Sequence, residues 1–319
     1  MKEERLWPLY KELIEKKTFQ ERIDKAYKIL ENCILCPRNC KVNRMKGEKG
    51  YCGADENMIV SSSGPHYGEE SPLVGRGGSG TIFLAHCNLK CNFCQNYDIS
   101  HHSRGMKTTP EELALIMMDL EREGCHNINF VTPTHYLPQI IKGIKIGAEK
   151  GLSIPIVWNC GGYERADMLK LLHGIVDIYM PDFKFWDEEI ALKLVKTKDY
   201  RDRTIEAFKE MHRQVGDLKI DKNGLARGGM LIRHLVLPDN MAGTREVMRF
   251  IAKEISTSSY VNIMDQYRPC FEATTVKGMD RRPTGEEYKR AVKEAQEEGI
   301  KRLDRREDRT GWIRILFEN

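Results

Sequence analysis

The sequence predicts an α/β fold in which parallel strands are joined by crossover helices. Three observations support this class: 319 residues suffice for one large domain with a modest extension, six short apolar segments follow Gly80, and segments with helical character lie between them. Six such units form either a partial barrel or an open doubly wound sheet. Periodicity alone does not separate these two architectures.

The chain is predicted to begin with an amphipathic helical region over residues 1–32, in which apolar side chains recur at helical spacing from Ile23 onward. A compact segment rich in cysteine and glycine follows over residues 33–53. The next stretches, 61–65 and 75–80, are rich in Ser, Gly and Pro, and they are therefore predicted to be loops.

The strands and helices of the alternating region follow in order. Pro110–Glu123 is a predicted helix because Thr109 can cap its N-terminus, Pro110 suits the first turn and two glutamates follow. The predicted strands are Thr81–Ala85, Asn127–Val131, Ile154–Trp158, Val176–Met180, Met230–Leu237 and Tyr260–Met264. The remaining predicted helices are 138–150, 165–172, 187–194, 202–215, 244–255 and 285–298.

The charge balance argues against a nucleic-acid partner. Lys and Arg total 51 and Asp and Glu total 47, so the net charge of +4 lacks the imbalance that phosphate neutralisation needs. No apolar stretch approaches the roughly 20 residues that cross a membrane, and the first residues lack the apolar run of a secretory signal. These observations predict a cytoplasmic protein whose ten cysteines stay reduced, so that metal binding, not disulfide formation, is the usual explanation for so many thiols.

Three cysteines follow the first predicted strand with the spacing C-x3-C-x2-C. They are Cys87, Cys91 and Cys94. Three thiolates on one short loop can each bind one iron of a cubane cluster, and soft thiolates also suit zinc or copper(I). No fourth cysteine lies nearby downstream, so one iron would stay open to a ligand that is not protein. An open metal position is typical of a catalytic site.

With Phe93 before the third cysteine, this C-x3-C-x-aromatic-C motif resembles that of the radical S-adenosylmethionine (SAM) superfamily. The resemblance implies that Cys87, Cys91 and Cys94 hold a [4Fe-4S] cluster whose fourth iron binds SAM. It implies an anaerobic oxidoreductase that cleaves SAM reductively and abstracts a substrate hydrogen with the 5′-deoxyadenosyl radical. It also implies an α/β fold built as a partial (β/α)6 TIM-like barrel, with the site at the C-terminal mouth of the strands.

The resemblance divides the chain into three parts. The radical SAM partial barrel is expected over residues 76–275. An N-terminal helix and Cys-rich extension precede it over residues 1–75, and a C-terminal helix and tail follow over residues 276–319 and pack on the barrel.

The resemblance extends to the ends of other predicted strands. Asp182-x-Lys184 resembles a step that glycyl-radical activating enzymes use beside the methionine moiety of SAM, and Arg233 resembles an arginine of the same enzymes. Alternation along a strand puts both residues of the step on one face, where carboxylate and ammonium can bind a zwitterionic amino acid together. A structural ion pair is the alternative explanation. The residues expected to contact the cofactor are Phe93, Thr132, Thr134, His135, Asn159, Asp182, Lys184 and Arg233.

Two positions differ from the pattern of the family. Residues 131–135 contain no carboxylate of the Gly-Gly-Glu kind that binds the amino group of SAM, and Asn159 stands where activating enzymes tend to have an acid. For the rings of His135 and His234, the favoured interpretation is a hydrogen-bonded histidine of the barrel.

A second group of four cysteines lies upstream, and its ligand count fits a closed metal site. In so short a segment with little apolar content, bound metal would supply folding energy. Three interpretations stay open: structural zinc, an auxiliary iron–sulfur cluster, or no metal. The four residues are Cys33, Cys36, Cys40 and Cys52.

From about Cys33 to Pro269 the sequence resembles the pyruvate formate-lyase activating-enzyme-related subgroup. That resemblance implies a flavodoxin- or ferredoxin-type reductant and a glycyl-radical protein as the substrate. A radical SAM enzyme that acts on a small molecule or cofactor precursor is one alternative. A non-enzymatic iron–sulfur or zinc protein, an electron carrier or an interaction module, is the other.

Overall fold

A computed structural model describes residues 7–304 of the chain. In this part of the chain ten strands form one sheet. The strands are β1 Met58–His66, β2 Ser79–Leu84, β3 Met106–Thr108, β4 Ile128–Val131, β5 Ile156–Cys160, β6 Ile178–Pro181, β7 Lys219–Ile220, β8 Ala226–Leu235, β9 Tyr260–Met264 and β10 Arg302–Leu303.

The strand order distinguishes the two predicted architectures. β2, β4, β5, β6, β8 and β9 lie side by side in chain order, and every neighbouring pair among them is parallel. A doubly wound sheet would reverse its strand order at one point, and this sheet does not. The core is therefore a partial (β/α)6 barrel, as the family resemblance predicted, and its strand order runs from β10 at one end to β3 at the other.

Helices connect the parallel strands, and their positions agree with the predicted helices to within a few residues. Thr109 caps α5 with a reciprocal capping box, in which its side chain accepts from the Glu112 N–H. In the described residues no helix is long and apolar enough to cross a membrane. The helices are α1 Tyr10–Glu15, α2 Phe19–Ile29, α3 Ser71–Val74, α4 Tyr97–Ser100, α5 Pro110–Arg122, α6 Leu137–Glu149, α7 Ala166–Leu169, α8 Glu188–Val195, α9 Tyr200–Val215, α10 Thr244–Phe250 and α11 Gly285–Glu297.

The predicted helical region 1–32 contains two helices, α1 and α2, and residues 1–6 lie outside the described part of the chain. The predicted C-terminal helix is α11, which packs against α10. Residues 305–319, the rest of the predicted tail, lie outside the described residues.

The prediction of a loop over residues 61–65 is wrong, because these residues belong to β1. This strand pairs antiparallel with β2, so that Pro65 lies opposite Gly80. On its other side β1 pairs with β3 only through residues 58–60. Pro65 therefore lies in a half of β1 that has one neighbour, where the missing N–H of proline costs no ladder hydrogen bond.

The connection between β1 and β2 enters the barrel. Residues 69–74, here called the plug, include the short helix α3. Leu73 is fully buried in the apolar interior of the barrel together with Val157, Met180 and Leu231. The Asn127 side chain donates to the Leu73 carbonyl at 2.8 Å. The plug therefore fills part of the barrel interior and carries two glutamates, at positions 69 and 70, to its inner surface.

Candidate active site

The three-cysteine loop, residues 85–96, leaves the carboxyl end of β2. Cys91 is buried, and Cys87 and Cys94 are half-buried. The Leu89 N–H donates to Cys87 Sγ at 3.3 Å, and the Ser100 hydroxyl donates to Cys94 Sγ at 3.2 Å. Hydrogen bonds of this kind stabilise thiolate charge.

Burial raises the pKa of the Cys91 thiol, and negative charge at Cys87 or Cys94 raises it further. The three sulfurs are therefore close enough to interact electrostatically. The ammonium of Lys184 acts in the opposite direction and favours the thiolate at both Cys87 and Cys91. The loop after β2 and the residues after β6 thus belong to one site.

Side chains of the loop attach it to the ends of other strands. The Asn88 amide donates to the Tyr163 carbonyl after β5 at 2.7 Å, and the Gln95 amide donates to the Gln266 carbonyl after β9 at 3.1 Å. These contacts fix the loop across the mouth of the barrel.

Phe93, predicted to contact the cofactor, is buried in an aromatic cluster. Its ring meets Phe185 edge-on at 5.9 Å between ring centroids and Tyr267 at 6.1 Å. Phe185 follows β6 and Tyr267 follows β9, so Phe93 packs the cysteine loop against both strand ends. Edge-to-face packing of this kind favours a single ring orientation.

A row of charged side chains crosses the mouth beside the loop. Lys184 Nζ lies 2.6 Å from Asp182 Oδ2, and Arg233 Nε lies 2.9 Å from Asp182 Oδ1. Arg233 also donates through Nη2 to Asn159 Oδ1 at 2.6 Å. The predicted residues Asn159, Asp182, Lys184 and Arg233 therefore form one connected group.

The pKa values of this row follow from the balance of burial and pairing. Burial opposes ionisation of Asp182, but Arg233 and Lys184 outweigh it and lower the pKa of the carboxyl. Burial likewise disfavours the charged Lys184, but Asp182 outweighs it and raises the pKa of the ammonium. All three side chains therefore stay ionised at neutral pH.

The backbone after β5 allows this close arrangement. Gly162 has φ +81°, and a Cβ there would lie 2.2 Å from the Asp182 carbonyl oxygen. The Tyr200 hydroxyl accepts from the Lys184 N–H at 2.9 Å and donates to the Gly161 carbonyl at 2.9 Å. Glycine at position 162 and this buried tyrosine together set the position from which the Lys184 side chain extends.

Glu69 of the plug is a site residue that the sequence reasoning missed. Its Oε2 lies 3.6 Å from Arg233 Nη1, and its Oε1 accepts from the Asn129 amide at 3.1 Å. The segment after β4 has no carboxylate, and Asn159 is neutral, but Glu69 brings negative charge to the same interior from another element. The only sequence signal was a pair of adjacent glutamates in a Gly- and Pro-rich connection, and nothing there indicates a loop that folds inward.

Glu70 lies deeper in the plug. Its Oε1 accepts from the Asn262 amide of β9 at 2.8 Å, while its Oε2 has no hydrogen-bond partner among the described residues. Burial raises the pKa of this carboxyl, although Arg233 opposes the rise.

The predicted residues after β4 contact protein groups on one side of the mouth. Thr132 has a positive φ of +59°. Thr134 donates through its hydroxyl to the buried carboxyl of Glu164, whose pKa burial raises to about 8. His135 donates through Nε2 to the Ala85 carbonyl at 2.8 Å, and burial lowers its pKa to about 3. His135 is thus a neutral ring at the start of the cysteine loop.

His234 has both ring nitrogens paired. Its Nδ1 donates to the Phe183 carbonyl at 2.7 Å, and its Nε2 accepts from the Thr244 hydroxyl at 2.9 Å. These bonds are those of a hydrogen-bonded barrel histidine, and burial lowers its pKa to about 4.

The four upstream cysteines lie together in the extension before β1. Cys33, Cys36 and Cys52 are buried and Cys40 is half-buried. Within residues 7–304, no group of three or more Cys, His, Asp or Glu side chains is arranged to hold a metal ion. A metal at these four cysteines therefore stays a prediction.

The donor set at the mouth suits an iron–sulfur cluster with SAM. Three thiols of one loop supply sulfur ligands for separate irons. A buried ammonium lies beside them, and a carboxylate and an arginine lie next to that ammonium. Charges of both signs within one cleft can bind a zwitterionic amino acid moiety.

Comparisons with known proteins agree with this geometry. Residues 81–251, more than half of the chain, match the family model described as the radical SAM superfamily. Two uncharacterized proteins of Methanocaldococcus jannaschii are similar to this chain. MJ0674 is 35% identical over 285 residues, which cover 86% of this chain and 77% of the relative. MJ0808 is 27% identical over 159 residues, which cover 44% of this chain and 46% of the relative. The cysteine motif after β2, the sequential parallel barrel and the match over residues 81–251 agree, and the chain belongs to the radical SAM superfamily.

Proposed function

We propose that this protein is an enzyme that cleaves SAM reductively and uses the resulting radical to abstract a hydrogen atom from its substrate. Membership of the superfamily implies a [4Fe-4S] cluster and SAM as cofactors. The observation that carries the proposal is the position of Lys184 beside the cysteine loop, because it joins a cluster-binding motif to an amino-acid-binding group. A Cβ at Gly161 would lie 2.6 Å from Leu89 Cδ1 of the loop and 3.6 Å from Lys184 Cε.

In this proposal Cys87, Cys91 and Cys94 would hold the cluster, and the amino and carboxylate groups of SAM would bind the iron that has no protein ligand. The reduced cluster would supply the one electron that breaks the sulfur–C5′ bond of SAM, so that methionine and a 5′-deoxyadenosyl radical form and the radical takes one hydrogen atom from the substrate. The N–H groups and the hydroxyl that donate to these sulfurs hold negative charge on the ligands. The electron comes from a flavodoxin- or ferredoxin-type donor.

Lys184 binds the carboxylate of the methionine moiety. An ammonium has three donors, and one of them is used by Asp182 at 2.6 Å. Asp182 holds the ammonium in place and keeps it charged, and Arg233 in turn holds Asp182. Glu69 accepts a hydrogen bond from the amino group of SAM, the role for which residues 131–135 offer no carboxylate.

The substrate that we propose is a glycyl-radical enzyme, from which the radical removes a glycine α-hydrogen. Support comes from the Asp182-x-Lys184 step and from the resemblance of the chain to pyruvate formate-lyase activating-enzyme-related proteins. The competing proposal is a small molecule or cofactor precursor. A glycyl radical detected by electron paramagnetic resonance (EPR) on a co-encoded protein after the reaction would support the first, and its absence together with a modified metabolite would support the second.

The central experiment needs no substrate. The protein is reconstituted anaerobically with iron and sulfide, reduced with dithionite in the presence of SAM, and analysed by chromatography for 5′-deoxyadenosine. The proposal requires 5′-deoxyadenosine in excess over a control without reductant. A reconstituted, SAM-bound protein that forms none would contradict it and would favour an electron carrier.

Replacement of Lys184 by alanine is expected to weaken SAM binding about 10- to 100-fold, the loss typical of a hydrogen bond to a charged group. The iron content should not change, because Lys184 is not a cluster ligand. Equilibrium dialysis with labelled SAM measures the affinity. Lys193→Ala, an exposed lysine on α8 near the loop, is the matched control and should bind SAM as the wild type does. Equal affinity in Lys184→Ala and wild type would exclude the assignment.

Replacement of Glu69 by glutamine is expected to weaken SAM binding about tenfold, because the amino group loses a charged acceptor for its N–H hydrogen bond. A SAM analogue without the α-amino group distinguishes this loss from an effect of a displaced Arg233. The wild type should prefer SAM over the analogue, and in Glu69→Gln that preference should fall about tenfold. If the preference is the same in the variant and the wild type, Glu69 does not contact the amino group.

A further inference from the structure

We propose that Cys33, Cys36, Cys40 and Cys52 bind a second iron–sulfur cluster, which packs directly against the three-cysteine loop. The proposal goes beyond SAM cleavage, since it concerns ligands that this chemistry does not use. Throughout the argument, residues 33–54 are called the cysteine arm.

A sulfur of the cysteine arm already accepts a backbone hydrogen bond. The Tyr51 N–H donates to Cys40 Sγ at 3.3 Å. Cys87 of the three-cysteine loop accepts from the Leu89 N–H in the same way, and such N–H groups stabilise thiolates that bind metal.

Backbone contacts bring the cysteines of the arm together. The Lys41 N–H, which follows Cys40, donates to the Cys33 carbonyl at 2.9 Å, and the Asn39 N–H donates to the Cys36 carbonyl at 3.1 Å. The Tyr51 N–H that reaches Cys40 Sγ belongs to the residue before Cys52. All ten cysteines are free, so no disulfide accounts for this concentration of buried thiols. Bound metal would neutralise four thiolates that are otherwise unfavourable so near each other.

The backbone of the arm is shaped around these sulfurs. A Cβ at Gly50 would lie 2.8 Å from both Cβ and Sγ of Cys40, so this position admits only glycine without a shift. The cysteine arm contains no strand, and its only regular element is the single 3-10 turn Arg44–Lys46. A segment so poor in regular structure gains its rigidity from ligands that cross-link it.

The spacing of the four cysteines favours an iron–sulfur cluster over zinc. Their pattern, C-x2-C-x3-C-x11-C, lacks the two C-x2-C couples that form an ordinary zinc site. A cluster binds each thiolate to a different iron, so its ligands lie farther apart than those of one zinc ion. The three cysteines after β2, which belong to a family that holds a [4Fe-4S] cluster, also place three thiols within eight residues, as Cys33–Cys40 does.

Arg38 connects the two cysteine groups. It lies between Cys36 and Cys40, donates to the Asn88 carbonyl at 2.9 Å and to the Val195 carbonyl at 2.6 Å, and stacks on Tyr51 at 3.7 Å. Occupancy of the second site therefore orders the arginine that holds the backbone of the first loop.

The test uses a triple variant with Cys87→Ala, Cys91→Ala and Cys94→Ala, reconstituted anaerobically. We expect it to retain iron and sulfide in equal amounts, about two to four of each per chain, as four thiolates hold in known clusters. The EPR signal of the reduced protein should not change when SAM is added, because no iron is left open. A Cys36→Ser, Cys52→Ser variant should lose this iron and keep a signal that SAM does change.

Cys125→Ala, which removes a buried cysteine of neither group, is the control and should keep both signals. Circular dichroism confirms that each variant is folded. A folded triple variant that retains no iron, or retains zinc alone, overturns the proposal. That result leaves SAM cleavage by the wild type untouched, so the two proposals fail separately.

Discussion

The single substitution Cys91→Ala is expected to abolish formation of 5′-deoxyadenosine. Cys91 is the buried member of the three-cysteine loop, and Lys184 acts on it electrostatically. Two thiolates cannot hold a cluster that needs three protein ligands, so the electron source for SAM cleavage is lost. The measurement is chromatography of the reduced reaction mixture, with product below detection.

Cys125→Ala is the matched control, because this cysteine is equally buried but lies outside both cysteine groups. It should form 5′-deoxyadenosine at the rate of the wild type. Substantial product from Cys91→Ala, with iron content equal to that of the wild type, would show that Cys91 is not a cluster ligand. The iron measurement separates loss of the cluster from loss of SAM binding.

The second large effect is a loss of stability in Asp182→Asn. Asp182 is the only carboxylate within 3 Å of both Lys184 and Arg233 in the described residues, and its replacement leaves two cations, each 17% exposed, with a neutral amide between them. Removal of one partner from a buried ion pair typically costs about 3–5 kcal/mol of unfolding free energy. Urea unfolding of the apo-protein measures this loss. Asp202→Asn, which removes an exposed partner of Arg201, should cost less than about 1 kcal/mol.

The pH dependence of the same variant has a defined sign. The pKa of Asp182 is lower in the folded protein than in the unfolded chain, since Arg233 and Lys184 outweigh burial. Its contribution to stability is therefore present above the unfolded pKa of about 3.9 and is lost as the pH falls through the folded value. The stability difference between wild type and Asp182→Asn should shrink as the pH falls below about 4. A difference that does not depend on pH would mean that the charge of Asp182 is not the cause.

The sequence predicted those parts of the fold that local patterns determine. Apolar runs located the six parallel strands, and the cap at Thr109 located the start of α5, because both signals depend on neighbouring residues. The choice between a barrel and a doubly wound sheet depends on which strands pair with each other. Hydrophobic periodicity carries no information about that pairing. β1 was missed because its Ser, Gly and Pro content is that of a loop, and only pairing with β2 makes it a strand.

The site residues likewise include some that local sequence patterns identify and some that only tertiary contacts reveal. The cysteine motif and the Asp182-x-Lys184 step are short patterns, and the sequence alone identified both. Glu69 was not found, because its place beside Arg233 requires the plug to turn into the barrel. The link from Arg38 to the Asn88 carbonyl spans 50 positions of sequence and leaves no periodic signal.

The plug also sets the depth of the reaction chamber. Since Leu73 and its neighbours fill the interior among β5, β6 and β8, a molecule that enters from the mouth meets a floor of apolar side chains. A bulky partner would have to present its reactive group on a narrow protrusion and leave its mass outside. Substrate selectivity would then depend on the loops that follow each strand at the mouth. A shorter plug would deepen the space below the mouth, so that a longer substrate group could enter.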